Sequence, residues 1–306
     1  MAGKPTPLLD GVDTNTGPGI DTDALDATRM LQTLSPAART ALATLEVVAS
    51  IDSTNSELLR RDTAHSGASV LFAEQQTSGR GRQGRIWVSP PACNLYVSVA
   101  RHFAGGIARL GGLSVVVGVA VAEALQSLGL DAIALKWPND LVVADGAQLR
   151  KLGGVLIESG SAGNGSVPIK SDTARDSTVR AVIGLGLNVR MAQSSTEAAA
   201  SAAIDQPWTD IRSQLGARTP SRNAIAAAAL EALFPALAAF ERDGLAPTLS
   251  RYPQFDALRG KSIETRGGAE PLFGIADGLA DDGALRLRTA SGEVVLRAGE
   301  VSVRPA

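Results

Sequence analysis

The spacing of apolar positions changes several times along the chain, and the changes mark out its elements. Residues 1–22 carry Gly, Pro, Thr and Asp without a sustained period, the pattern of a disordered tail. Leu25, Met30, Leu31 and Leu34 give a weak helical spacing. Ser35 and Pro36 then read as the N-cap and first residue of a helix over 36–45. A strand is expected over 46–51, then a polar turn, Asp52 to Ser56, and a helix from Glu57 capped by Ser56 or one of its neighbours. Short apolar runs predict strands over 69–74, 95–100, 132–135, 141–144, 151–158 and 179–189. The run over 151–158 is nearly continuous, as in a strand buried on both faces, and its Gly153-Gly154 marks a close approach by a ligand or another strand.

Two longer patterns are helical, an apolar one over 110–128 and an alanine-rich one over 221–242 that Pro235 should kink or divide. Asp145-Gly146 reads as a hairpin turn, 159–178 as a flexible surface insertion, and 192–220 as irregular. Past Tyr252-Pro253 the runs become short and evenly spaced, over 261–265, 272–276, 284–289 and 293–297, separated by turns such as Asp281-Asp282-Gly283. That rhythm predicts a small all-β barrel over 258–306.

Composition narrows the functional classes. The chain has 306 residues, 44% of them hydrophobic, and a net charge of −2, which argues against general nucleic-acid binding. The first fifty residues hold three basic side chains against six acidic ones, the wrong balance for a DNA-reading helix-turn-helix. One cysteine, Cys93, excludes an internal disulfide framework and points to a reducing compartment. No apolar run reaches the roughly 18–20 residues of a membrane span, and the N-terminus carries no signal-like apolar stretch. A cytoplasmic location is the expectation.

Against this acidic background, positive charge is concentrated in Gly79-Arg80-Gly81-Arg82-Gln83-Gly84-Arg85. Glycines free the backbone for close approach to a ligand, and arginine forks suit carboxylates and phosphates. The three glycines fit G-x-G-x-x-G, yet the following Arg85-Ile86-Trp87-Val88-Ser89-Pro90-Pro91 cannot open a helix, and 95–106 holds no acidic residue for a ribose. The dinucleotide fold is therefore rejected. A kinase is rejected for want of H-R-D and D-F-G sequences. His65 and His102 have no neighbours at metal-ligand spacing. Lys136-Trp137-Pro138-Asn139-Asp140 places a cation, a rigid turn, an amide and a carboxylate at a strand end, and Lys151 heads the next strand. With the arginine loop, these cations could stabilise a developing anion.

The ordered set resembles the biotin protein ligases. It comprises Ser53-Thr54-Asn55, Glu74-Gln75-Gln76 leading into the 79–85 loop, Trp87 with Ser89-Pro90, Asn94-Leu95-Tyr96, and Lys136 to Asp140. Lys151-Leu152-Gly153-Gly154-Val155-Leu156-Ile157-Glu158 and Gly184-Leu185-Gly186-Leu187-Asn188 complete it. The resemblance covers 46–303 and implies an α+β fold: a class II synthetase-like biotin/lipoate ligase domain over 23–257, a mixed sheet with helices, followed by an SH3-like β domain over 258–306. The DNA-binding domain of the family's bifunctional members has no counterpart in this sequence, which puts a repressor role in doubt but not the ligase role.

The same resemblance implies the chemistry. Biotin's carboxylate attacks the α-phosphate of Mg-ATP, and the resulting biotinyl-5′-AMP passes biotin to a specific lysine of a biotin carboxyl carrier domain of a carboxylase. By this similarity Ser53, Thr54, Asn55 and Gln76 hold biotin at its ureido end, and Arg80, Gly81 and Arg82 form a lid over the carboxylate and phosphate. Lys151 contacts the reacting oxygens, with Arg82 as the second catalytic group, and Trp87 packs beside them. Arg85, Lys136, Asn139, Asp140 and Asn188 surround ATP, and Asp140 helps hold Mg²⁺. The lid should be mobile when empty and close on ligand. No nucleic-acid or membrane partner is expected. Three readings remain beside this one: a lipoate or octanoate ligase of the same superfamily, a regulator that only binds biotinyl-AMP, and a non-catalytic carrier-binding module.

Overall fold

The computed structural model describes residues 23–62, 66–146, 148–160, 178–191, 204, 206–266, 271–298 and 302–305. The tail expected at 1–22 lies outside them. So does the insertion expected at 159–178, apart from its strand-forming ends.

Seven strands make the larger sheet: β1 (Leu42–Val48), β2 (Ala68–Ala73), β3 (Leu95–Ala104), β4 (Ile133–Lys136), β5 (Asp140–Asp145), β6 (Gln148–Gly160) and β7 (Thr178–Leu187). Their order is β1-β2-β3-β7-β6-β5-β4. Only β1 and β2 run parallel; the other neighbours are antiparallel. β1 begins four residues earlier than the sequence pattern suggests, because its pairing partner decides its extent: Leu42 aligns with Ala68 and Val48 with Ala73. The helix before it is correspondingly short, α2 at Pro36–Ala41, although its Ser35 cap and Pro36 start are as expected.

Helices cover both faces of the sheet. On one side lie α4 (Leu113–Ser127) and α6 (Arg222–Asp243), which follows the short α5 (Ile211–Leu215); α4 and α6 pack on each other, and against α6 lies α1 (Ala27–Thr33). Phe72, Val97, Val99, Ile183 and Leu185 meet these helices in one continuous core. The stretch Ile107–Ser127, which contains α4, and α6 are each long and apolar enough to resemble membrane spans, and their apolar character serves this core. The helix α6 runs unbroken through Pro235 rather than dividing there. Pro235 is exposed while Leu233, Phe234, Ala236 and Leu237 around it are buried, so packing on both sides of the proline offsets its missing hydrogen bond. The opposite face of the sheet carries α3 (Thr54–Arg60), whose Leu58 packs with Leu71, Ala100 and Val182. The strand β6 is only partly buried: Ile157 packs against the helical core, but on the other face Leu156 lines a cavity, so the expectation of burial on both faces fails.

The chain then forms a second sheet of five antiparallel strands: β8 (Ser262–Arg266), β9 (Phe273–Leu279), β10 (Leu285–Thr289), β11 (Gly292–Leu296) and β12 (Ser302–Pro305), in the order β11-β10-β9-β8-β12. Ile263, Ala276, Leu285, Leu287 and Val303 are its buried face. Trp137 donates from Nε1 to the Gly283 carbonyl at 3.0 Å, tying this sheet to the turn between β4 and β5.

Candidate active site

Alternation along the central strands builds the floor of a cavity. On β7, Ile183 and Leu185 point into the helical core, so Val182, Gly184 and Gly186 face the other way. Register brings Ser98, Gly184 and Leu156 into one row and Tyr96, Gly186 and Gly154 into the next. Val182 sits under α3; beyond it the glycines leave room. A Cβ at Gly184 would lie 2.5 Å from Asn55 Oδ1, and one at Gly186 2.5 Å from Trp87 Cε2. The resulting cavity is about 380 Å³, within the about 300–1,000 Å³ usual for small-molecule sites.

Every residue to which the resemblance gives a biotin or nucleotide role lines it. Ser53, Thr54, Asn55 and Gln76 form one end. The loop residues Arg80, Gly81, Arg82, Arg85 and Trp87 form a side, and Lys136, Asn139, Asp140, Lys151 and Asn188 the far wall.

The first end is a locked polar cluster. Helix α3 begins at Thr54, not Glu57, with Ser53 as its N-cap accepting from the Ser56 N–H at 3.4 Å. The Thr54 N–H and hydroxyl both donate to Gln76 Oε1, at 2.9 and 3.1 Å. Ser98, fully buried, donates to Asn55 Oδ1 at 2.5 Å and lies 2.7 Å from the Thr54 hydroxyl. Asn55 donates from Nδ2 to Glu158 Oε2 at 2.8 Å. Each side chain is thus oriented by a neighbour before any ligand arrives.

The other end gathers the cations. Lys136 and Asp140 pair across β4 and β5, joined by Trp137-Pro138-Asn139 with a cis Trp137–Pro138 bond. A register shift between Leu141 and Val142 interrupts the β5–β6 ladder near Lys151. Lys151 Nζ lies 2.6 Å from Asp140 Oδ1 and 5.4 Å from the centre of the Trp87 ring. Arg82 donates to Asn139 Oδ1 at 3.1 Å, and Asn139 is pinned in turn by donating to the Val155 carbonyl at 2.8 Å. Burial lowers the Arg82 pKa below its ordinary value; Asp140 opposes that effect and Arg85 adds to it. The guanidinium remains charged. Asn188 donates to the Thr209 carbonyl at 3.1 Å. Arg80 and Ile86 form a bridge that closes the loop on itself, and Arg80 Nη2 lies 2.8 Å from Glu158 Oε2. The sequence treats Arg80 as a cation offered to the ligand, whereas its guanidinium is held by a carboxylate outside the cavity lining.

Several residues of the site escape sequence reasoning. Ser98 and Glu158 hold the polar end from behind. Met191, Gln206, Trp208 and Val303 also line the cavity. Trp208 arrives through a bridge to Lys151, supported by bonds from Lys151 N–H to Pro207 and from Thr209 N–H to Lys151. The lone aromatic of an irregular stretch was its only signal. For a divalent cation, no group of three or more His, Cys, Asp or Glu converges among the described residues; Asp140 is the single carboxylate of the cavity wall. Mg²⁺ is commonly held by one or two carboxylates plus substrate phosphates, and the donor set fits that arrangement.

Comparison with known proteins supplies the family. Residues 47–167 match the biotin/lipoate A/B protein ligase family, and 260–304 the biotin protein ligase C-terminal domain. The chain is 34% identical to the bifunctional ligase/repressor BirA of Escherichia coli, over 97% of this chain and 85% of that protein. It is 32% identical to the biotin–[acetyl-CoA-carboxylase] ligase of Paracoccus denitrificans, over 83% of this chain and 98% of the relative. Among solved structures, biotin protein ligase from Aquifex aeolicus in complex with biotin and ATP superimposes with a TM-score of 0.67 at 25% identity, covering 87% of this chain and all of that one.

Proposed function

Because the chain belongs to the biotin protein ligases, within the biotin/lipoate A/B protein ligase family, we propose that this cavity carries out both halves of its ATP-dependent ligation. Biotin is activated to biotinyl-5′-AMP with loss of pyrophosphate, and biotin then passes to a protein lysine with loss of AMP. The observation that carries the assignment is the polarity of the cavity: hydroxyls and amides at one end, cations at the other, a glycine floor between. Ser53, Thr54, Asn55 and Gln76 meet the ureido group, which needs both donors and acceptors. An acyl chain such as lipoate or octanoate offers them neither donor nor acceptor at this end.

Two anions must meet at the other end. Arg82, Arg85, Lys136 and Lys151 offset the repulsion between biotin's carboxylate and the triphosphate, and stabilise charge at the α-phosphorus as the carboxylate oxygen attacks and pyrophosphate leaves. Asn139 and Asn188 orient the nucleotide. Asp140 would hold Mg²⁺, which neutralises phosphate charge when bound. Trp87 and Gly81 cover the mixed anhydride and exclude water. In the second half, the acceptor amine attacks the carbonyl carbon and AMP leaves with the anhydride oxygen. The acceptor we assign is the lysine of a biotin carboxyl carrier domain of an acetyl-CoA carboxylase, in line with the Paracoccus relative's name.

ATP–pyrophosphate exchange tests the assignment. Purified protein should exchange with biotin and not with lipoate or octanoate; exchange with lipoate alone would reverse the choice of substrate. Lys151→Ala should keep its fold by circular dichroism while losing roughly 10²–10³ in exchange rate, the usual cost of one preorganised donor. Wild-type rates in that variant would remove Lys151 from the chemistry.

A further inference from the structure

Glu158 stands on β6 one strand period beyond Leu156, opposite Val182 of β7. It therefore faces the cavity side of the sheet, yet stands behind the lining rather than in it. One of its oxygens, Oε2, serves two partners: Asn55 Nδ2 at 2.8 Å and Arg80 Nη2 at 2.8 Å. Asn55 is buried with its other amide atom taken by Ser98, and its amide fills the space that a side chain at Gly184 would take. Arg80 is part of the arginine loop, whose hydrogen bonds within itself run from Gly81 N–H to Arg85 and from Trp87 N–H to Gly79. Its remote tie to the sheet at this position is the ion pair with Glu158. A single carboxylate thus spans the polar end of the cavity and the loop that covers it.

We propose that Glu158 is a positioning residue for biotin, one that fixes the Asn55 amide and anchors the arginine loop over the cavity through Arg80. It touches neither substrate. Its charge is what joins the two: charge-assisted bonds to a shared carboxylate are stronger than neutral ones, and moving the loop away would leave the carboxylate with only an amide partner. Asn55 keeps its donor pointed to the sheet and Arg80 keeps the loop near the sheet for the same reason. This role rests on the cavity being the biotin site.

Glu158→Gln separates the two functions. The amide oxygen can still accept from Asn55, but the charge facing Arg80 is gone, and the half-exposed side chain keeps its volume. In ATP–pyrophosphate exchange, KM for biotin should rise about tenfold while kcat changes less than about twofold. Trypsin should cut at Arg80, Arg82 and Arg85 correspondingly faster in the ligand-free variant, at an unchanged Tm, a local effect that a general loss of stability would not give. In an Arg80→Gln background, adding Glu158→Gln should leave cleavage at Arg82 and Arg85 as it was, because the anchor is already lost. If Glu158→Gln does not fold, Arg80→Gln alone carries the test, since faster cleavage at Arg82 and Arg85 is expected there too and an unchanged rate overturns the anchor. Wild-type exchange with an unchanged KM and unchanged cleavage in Glu158→Gln would overturn this role alone. No biotin-dependent exchange in the wild-type protein would overturn the functional assignment and this role with it.

Discussion

At Gly184 an added methyl would lie 2.5 Å from Asn55 Oδ1, and Asn55 is held from three sides by Ser98, Glu158 and the Leu156 carbonyl. Gly184→Ala should therefore push the amide out of register and raise KM for biotin by about 10–100-fold in the exchange assay. Most of the lining was legible in the sequence because its residues are conspicuous where they stand: hydroxyls in a turn, arginines between glycines, a lysine opening an apolar strand. Ser98 and Glu158 were not. A serine inside an apolar run and a glutamate near the end of one look like ordinary strand residues. What makes them part of the site is the register of β3, β7 and β6, which sets Ser98 beside Gly184 and Glu158 opposite Val182. No local pattern carries that information. Arg80 shows the converse: its place in the loop was legible, its partner was not.

Among the elements, β4 shows how a strand end is secured. The segment at Asp256 adds to it in parallel, through Leu135 N–H to the Phe255 carbonyl at 2.7 Å and Ala257 N–H to the Leu135 carbonyl at 2.9 Å. The Asp256 carboxylate accepts from the Leu258 and Arg259 N–H groups through Oδ1 alone. Burial raises its pKa above the usual value, with those two bonds opposing the shift. Below the unfolded-state pKa, about 3.9, the group is protonated in both states and costs nothing. As pH rises toward the folded-state value, the unfolded chain ionises first and stability falls. Asp256→Asn keeps an acceptor for both N–H groups and removes the charge. Its Tm should exceed wild type by roughly 1–3 °C at pH 7, with the gap closing near pH 4; a lower Tm at neutral pH would contradict this. Element type was readable from periodicity nearly throughout, whereas boundaries were not, because partners set them. The first strand took its length from Ala68–Ala73, and α6 continued past Pro235 because buried neighbours hold both halves.

For the molecule as a whole, the joint between the two sheets passes through the site. Trp137 stands between Lys136 and the cis Pro138, and its indole N–H reaches Gly283 in the turn before β10. A Cβ added at Gly283 would lie 3.2 Å from the Gly112 Cα ahead of α4, so the two turns pack closely. Trp137→Phe should leave the Gly283 carbonyl without this partner, at a cost of about 1–3 kcal/mol. Hydrogen exchange should then speed across 273–289 more than across β3 and β7; uniform change in both sheets would argue against a specific joint. The charge layout reaches further still. Lys151 is matched by Asp140 and Arg80 by Glu158, so the field at the cavity mouth is weaker than the tally of its arginines and lysines. At Lys151 an incoming triphosphate or carboxylate exchanges places with Asp140, a carboxylate the protein already supplies, and less with ions of the surrounding solution. Screening acts mainly on exposed charge and much less on a partly buried pair such as Lys151 and Asp140. The site is accordingly buffered against the salinity of its medium, at the expense of long-range attraction for its anionic substrates.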